Sequence, residues 1–334
     1  MRKVDFMSNI AIVGATGLVG KTMLDIIEQN DISYSSLTLF SSARSAGKEI
    51  IVNGKTHVVE ELTEEKTSES FDYVLMSAGG DTSLHFSPLF EKSGAVVIDN
   101  SSAWRMDESI DLVVPEVNKA SLKRKIIANP NCSTIQSVVP LKRLSDIFGV
   151  KRVAYTTYQS VSGSGWKGIE DLTGGEQGEA PKTYPKPIHH NVIPHIDDFL
   201  DNGYTKEEEK MIKETQKILN DPALAVTATC VRVPVLHAHA VAINVTLDQE
   251  TNVIELKEVL LNAPSVVVMD DPSREVYPTP LDAAGKGNIF VGRIRKDDSL
   301  PNTYHLWSVS DNIQKGAALN AVQILQDLLS RKED

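Results

Sequence analysis

The heptad Gly14-Ala15-Thr16-Gly17-Leu18-Val19-Gly20, directly after the β-branched run Ile10-Ala11-Ile12-Val13, constrains this chain more than any other feature. Apolar residues then recur at Leu18, Val19, Met23, Ile26 and Ile27, which is helical spacing. The pattern reads strand, glycine turn, helix. A second β-rich run at 37–40 falls where a right-handed crossover would deliver a parallel neighbour. Glycines in such a turn let a pyrophosphate approach the backbone, and the following helix offers free N–H groups and its positive end.

Further short apolar runs lie at 73–76, 95–98, 112–114 and 126–128, each ending in polar or glycine-rich residues. Strands buried on both faces of a parallel sheet read this way, and ligands bind at their carboxyl ends. Beyond Cys132 the texture changes. A helix is expected at 133–148, followed by longer alternating strands at 152–161, 225–233, 240–247, 289–295 and 304–309. That alternation predicts a mostly antiparallel sheet. The Gly/Pro-rich stretch 174–194 reads as a long loop, 206–219 as a charged helix and 313–329 as an amphipathic one. The fold class expected is α/β: a doubly wound parallel-sheet domain plus an α+β domain. A length of 334 residues accommodates two domains of ordinary size.

Charge and composition exclude several classes. The formal charge of -11, with no basic run, argues against nucleic acid as a partner. No apolar run approaches the ~20 residues that cross a bilayer, and no apolar export segment follows residues 1–8, so neither a membrane partner nor export is expected. A cytoplasmic protein is the expectation, and two cysteines make no disulfide framework.

At the end of the second strand, where an NAD site usually carries an acidic residue, stands Ser41-Ser42-Ala43-Arg44-Ser45. A guanidinium flanked by hydroxyls suits a 2′-phosphate, which points to NADP. Cys132 sits at the start of the expected helix, where dipole and free amides stabilise a thiolate, so it is the candidate nucleophile. Cys230 lies within a strand and reads as a small buried hydrophobe. His237 and His239, two apart on an expected strand, would share a face. They and the loop histidines 189, 190 and 195 lack metal-site spacing, so no metal is expected. The charges of 206–210 read by default as a solvated helix face.

The glycine heptad, Ser41 to Gly47, Asn129-Pro130-Asn131-Cys132-Ser133-Thr134, Tyr158-Gln159-Ser160-Val161-Ser162-Gly163, Cys230-Val231-Arg232-Val233-Pro234 and Ser310-Asp311-Asn312 occur in order. Together they resemble the bacterial aspartate-semialdehyde dehydrogenases, from about Asn9 to Leu329. The resemblance implies a Rossmann-type NADP-binding domain at 1–132, completed by a C-terminal helix at 312–334, and a catalytic and dimerisation domain at 133–311. It implies a homodimer that reductively dephosphorylates L-aspartyl 4-phosphate, toward lysine (through diaminopimelate), threonine and methionine. Small-molecule substrate and inorganic phosphate would be its ligands.

Carried over by position, the resemblance makes Cys132 the nucleophile, His239 the acid/base and Gln159 the residue orienting a thioester. It assigns Arg232 to the substrate carboxylate, Glu207 to the substrate amine, and Arg105, Asn131 and Lys210 to the phosphate. Cofactor contacts would come from Gly14, Thr16, Gly17, Leu18 and Val19, from Arg44 and Ser45, from Ser162 and Gly163, and from Asn312. Trp166 and His237 depart from the family pattern. N-acetyl-glutamyl-phosphate reductase shares the chemistry and is the near alternative, and a silent NADP-binding regulator is the distant one.

Overall fold

The computed structural model describes residues 7–333; residues 1–6, read above for an export segment, and Asp334 lie outside it. It divides into two compact units, one of residues 1–130 with 317–334 and the other of residues 131–316. Among the described residues, no helix is long and apolar enough to cross a membrane.

The first unit is built on β1 (Ser8–Val13), α1 (Leu18–Gln29), β2 (Tyr34–Ser41), the hairpin β3 (Glu49–Val52) and β4 (Lys55–Val58), β5 (Glu60–Glu61), β6 (Tyr73–Met76), α2 (Gly80–Lys92), β7 (Val96–Asp99), β8 (Asp111–Leu112) and β9 (Ile126–Ala128). Seven strands form one sheet in the order β5-β2-β1-β6-β7-β9-β8, every pair parallel. Ile10, Ile12, Leu39, Leu75, Ile98 and Ile127 are fully buried along it, as double-sided packing requires. The buried stripe of α1 joins Ala321, Val322, Ile324, Leu325 and Leu328 of the C-terminal helix Leu319–Glu333 in one core. Asn320 pins that helix by donating to Asn129 Oδ1 at 2.6 Å and to the Val113 carbonyl at 3.0 Å.

The second unit holds α3 (Cys132–Phe148), β10 (Val150–Gln159), α4 (Trp166–Glu176), α5 (Lys206–Ile218), β11 (Ala225–Arg232), β12 (His239–Leu247), α6 (Val253–Leu261), β13 (Val266–Val268), α7 (Pro280–Ala283), β14 (Ile289–Lys296) and β15 (Thr303–Ser310). Its six-stranded sheet runs β11-β10-β12-β15-β14-β13. The three central pairings are antiparallel, and the two outer ones, β10 with β11 and β13 with β14, are parallel. Alternation along β10 puts Val153, Tyr155, Thr157 and Gln159 inside, and the Tyr155 hydroxyl meets Thr215 of α5 at 3.2 Å.

Several expectations are corrected here. The strand expected at 112–114 is two residues long, Asp111–Leu112. The expected loop at 174–194 begins inside α4, whose Gly168, Gly174 and Gly175 disguise the helix. His237 lies outside β12 and is exposed, because Ala238 takes left-handed backbone at φ 69° and turns the chain before His239. The C-terminal helix is preceded by a π-helical turn, Gln314–Ala318.

Candidate active site

In the first unit the glycine turn is demanded by its surroundings. Gly14 has φ 81°, and a Cβ there would stand 2.1 Å from the Ser77 carbonyl oxygen. One on Gly20 would stand 2.3 Å from the carbonyl oxygen of Gly14, so only glycine lets α1 start this close to β1. Gly17 caps α1 without a side-chain bond, and Leu18 and Val19 open the helix, leaving its first N–H groups for a ligand. The carboxyl ends of β1, β2, β5 and β6 border a cleft of about 390 Å³ lined by Gly14, Ser41, Ser42, Ala43, Glu61 and Ser77. It lies where the strand order reverses on either side of β1, the place for a dinucleotide in such sheets. Thr16 and Ser41 pair their hydroxyls at 2.9 Å. Arg44 is exposed on the 3-10 turn Ala43–Ser45, with Ser45 buried beneath it. Arg105 also belongs to this unit, buried, with Nη2 donating to the Asn100 carbonyl at 2.9 Å.

In the second unit, Gln159 ends β10, Arg232 ends β11 and His239 begins β12, and register sets Gln159 beside Arg232. Neighbouring strands therefore deliver the three side chains to one edge. Cys132 is the first residue of α3, and Asn131 caps that helix by accepting from Ser133 N at 2.9 Å and Thr134 N at 3.3 Å. The cap fixes where the helix that begins with Cys132 starts. Gly316 approaches so closely that a Cβ on it would stand 2.8 Å from Cys132 Cβ.

Glu207 ties these parts together. Its Oε1 accepts from Asn131 Nδ2 at 2.8 Å and from Gln159 Nε2 at 3.0 Å, while Oε2 accepts from Lys210 Nζ at 3.1 Å. Burial alone would raise its pKa, but the Lys210 charge and the two amides outweigh that and hold it down at about 2. Lys210 also bridges to Asp197 at 2.7 Å, and the two carboxylates hold its ammonium above the usual range against the effect of burial. The neighbouring charges of this helix are not all solvated. Glu208 is buried in a capping box with Thr205 and accepts from Cys230 N at 3.0 Å. The Thr205-x-x-Glu208 spacing carries that signal in the sequence.

Ser160, absent from the expected site, is central to it. Its backbone N–H donates to His239 Nδ1 at 3.0 Å and its carbonyl accepts from Arg232 Nη1 at 2.6 Å. Its hydroxyl lies 3.1 Å from Asn312 Oδ1, which also accepts from Ala238 N at 3.0 Å. Ser162 pairs with Asn312 as well, so Asn312 braces the histidine from behind. Burial, with the Arg232 charge beside it, pushes the His239 pKa down to about 3, against the opposite pull of Glu207 and the Ala238 backbone. Arg232 is pinned in addition by the Tyr184 ring, 5.9 Å from its guanidinium. Trp166 is half exposed and His237 exposed, so neither fills this space.

The arrangement is a thiol at a helix start, an imidazole, an amide and a guanidinium in one unit, with a cleft at the carboxyl ends of the parallel strands in the other. Two family models match the chain: "Semialdehyde dehydrogenase, NAD binding domain" over residues 9–125 and "Semialdehyde dehydrogenase, dimerisation domain" over residues 141–315. The aspartate-semialdehyde dehydrogenase of Aquifex aeolicus is 49% identical, over 96% of this chain and 97% of the relative. A Vibrio cholerae aspartate semialdehyde dehydrogenase II, solved in complex with ASA, superposes with a TM-score of 0.93 at 44% identity, covering 97% of this chain and 98% of its own. The Candida albicans enzyme solved with NADP gives 0.78 at 25% identity, covering 98% of this chain and 100% of its own. The chain belongs to the aspartate-semialdehyde dehydrogenase family.

Proposed function

We propose that this protein converts L-aspartyl 4-phosphate to L-aspartate 4-semialdehyde through a thioester on Cys132. The observation that carries the reading is Cys132 at the first position of α3, tied through Asn131 and Glu207 to Gln159. Bound NADPH supplies the hydride. The residues of the first unit that would hold it are Gly14, Thr16, Gly17, Leu18, Val19, Arg44 and Ser45, and the cleft at the carboxyl ends of β1 and β2 fits that group. The assignment of Ser162, Gly163 and Asn312 to the cofactor rests on the resemblance alone.

Cys132 attacks the acyl carbon and phosphate leaves, with Lys210 and Asn131 assigned to receive it. The assignment of Arg105 to the phosphate rests on the resemblance alone. Arg232, whose Nε has no partner among the described residues, presents a planar fork suited to the substrate carboxylate. Gln159 orients the thioester, and its own oxygen is fixed by Thr157 at 2.9 Å. Glu207 is assigned to the substrate amine while it holds Asn131 and Gln159 in place.

A homodimer in the cytoplasm completes the reading. The outer face of the second unit's sheet supports it, with Tyr158, Tyr277, Arg293, Arg295 and Trp307 around an exposed groove of about 420 Å³. Aspartate semialdehyde and NADP without phosphate should leave an acyl group on Cys132, read by peptide mass, which added phosphate removes. A wild-type protein that never acylates at Cys132 contradicts the mechanism.

A further inference from the structure

The six residues Asn100 to Arg105 follow β7 and form neither helix nor strand, yet one buried carboxylate ties the segment at two points. Asp99, the last residue of β7, is fully buried. Its Oδ1 accepts from Ser101 N at 2.6 Å, and its Oδ2 accepts from the hydroxyls of Ser83 and Ser87, which stand one turn apart on α2. A carboxylate only accepts and an indole N–H only donates, so the direction of each bond is set. Ser83 gives its hydrogen to Asp99, and its oxygen accepts from Trp104 Nε1 at 2.8 Å. Trp104 is thereby held by the same carboxylate as Ser101. The Arg124 guanidinium lies over the Trp104 ring, 5.7 Å from its centroid, and pairs with Glu91 of α2. Arg105, the next residue, is buried and donates from Nη2 to the Asn100 carbonyl at 2.9 Å, so the segment closes on itself.

We propose that Asp99 is the positioning residue for Arg105: directly through Ser101, and through Ser83 and Trp104, it fixes the segment whose guanidinium meets the phosphate. The proposal rests on the reading above that assigns Arg105 to phosphate. An irregular segment has many backbone states, and holding one of them costs conformational entropy. The buried acceptor opposes that cost, because moving the segment away would take Ser101 N–H from Asp99 and Trp104 Nε1 from Ser83, leaving buried polar groups unsatisfied. Asp99 acts on the ligand only through Arg105. An amide at position 99 keeps the shape but replaces one acceptor oxygen with an NH2 group. Whichever way it turns, it brings a donor to the Ser101 N–H or to the Ser83 hydroxyl. An alanine at position 83 removes the link to Trp104 alone and leaves Asp99 joined to Ser101.

In the oxidation of aspartate semialdehyde, Asp99→Asn should raise the KM for phosphate about tenfold and leave those for aspartate semialdehyde and NADP within about twofold of wild type. Ser83→Ala should raise it about threefold. Arg105→Ala should raise it about ten- to a hundredfold, and adding Asp99→Asn to that variant should cost less than about twofold more, since no guanidinium remains to be misplaced. Should Asp99→Asn not fold, Ser83→Ala, alone and with Arg105→Ala, gives the same comparison. Nitrogen-15 NMR of tryptophan-labelled protein, with the Trp104 indole assigned from Trp104→Phe, reads the tie without turnover. The indole N–H should exchange slowly with water in the wild type and faster in Asp99→Asn and Ser83→Ala. An unchanged phosphate KM in both Asp99→Asn and Ser83→Ala, equal rises in all three KM values, additive effects in the double variant, or an indole that ignores both substitutions overturns the proposal. A wild-type phosphate KM in Arg105→Ala would instead remove the assignment of Arg105 to phosphate, and the indole signal alone would then decide whether Asp99 holds the segment.

Discussion

Asn131 donates to Glu207 at 2.8 Å with one end of its amide and caps α3 with the other. The start of the helix that begins with Cys132 is therefore tied to a carboxylate on α5, 76 residues further along the chain. The same oxygen of Glu207 holds Gln159, so the helix of Cys132 and the Gln159 amide share one anchor.

Glu207→Gln should lower kcat for aspartate semialdehyde about ten- to a hundredfold, because charge-assisted bonds of about 1.5–3 kcal/mol are weakened and Lys210 loses its partner. Glu209, which meets Asn202 at the surface, is the control, and its Gln variant should stay within about twofold. Equal losses at both positions would show that Glu207 anchors nothing.

Acid should expose the same carboxylate. Its folded pKa lies below the unfolded value, so its stabilisation is full above about pH 4.5 and disappears as pH falls toward about 2. The difference of about 2.5 units corresponds to about 3 kcal/mol. Urea unfolding of wild type and Glu207→Gln should show a gap that closes over that window. The depressed pKa of His239 contributes to acid lability in both proteins and largely cancels in the comparison. A gap independent of pH contradicts the assignment.

Cys132→Ala should abolish turnover and keep NADP binding, whereas Cys230→Ala should keep turnover. Cys230 is fully buried in β11, and burial together with Glu207 pushes its thiol well above the usual range. Iodoacetamide followed by peptide mapping should therefore label Cys132 first. Faster labelling at Cys230 would reverse the assignment.

The parallel strands were legible because double-sided burial leaves short, wholly apolar runs such as 73–76. The helix α2 was not, since its buried face is built from Ser83 and Ser87 around Asp99 and it contains Pro88. Within the site, Asn131 is of a residue type that caps helices, a signal the sequence carries but that was not used above, while Ser160 acts through backbone atoms that any residue possesses. Glu208 was misread as solvated because a carboxylate in a capping box looks, in a run of charges, like its exposed neighbours. The parallel pairing of β10 with β11 has no local signal, because Lys206 to Ile218 intervenes between them as a crossover.

Arg44→Ala should reduce the preference for NADP over NAD by about ten- to a hundredfold in kcat/KM, the worth of a charge-assisted contact to the 2′-phosphate. An unchanged ratio would mean that this exposed arginine stays in solvent.

The central claim is tested most directly by following NADP reduction with L-aspartate semialdehyde as phosphate is titrated. Turnover should depend on phosphate, and N-acetyl-glutamate semialdehyde should be a poor substrate, since its neutral amide cannot pair as an ammonium does. Steady NADP reduction that ignores phosphate, or efficient use of the N-acetylated aldehyde in place of aspartate semialdehyde, would contradict the account.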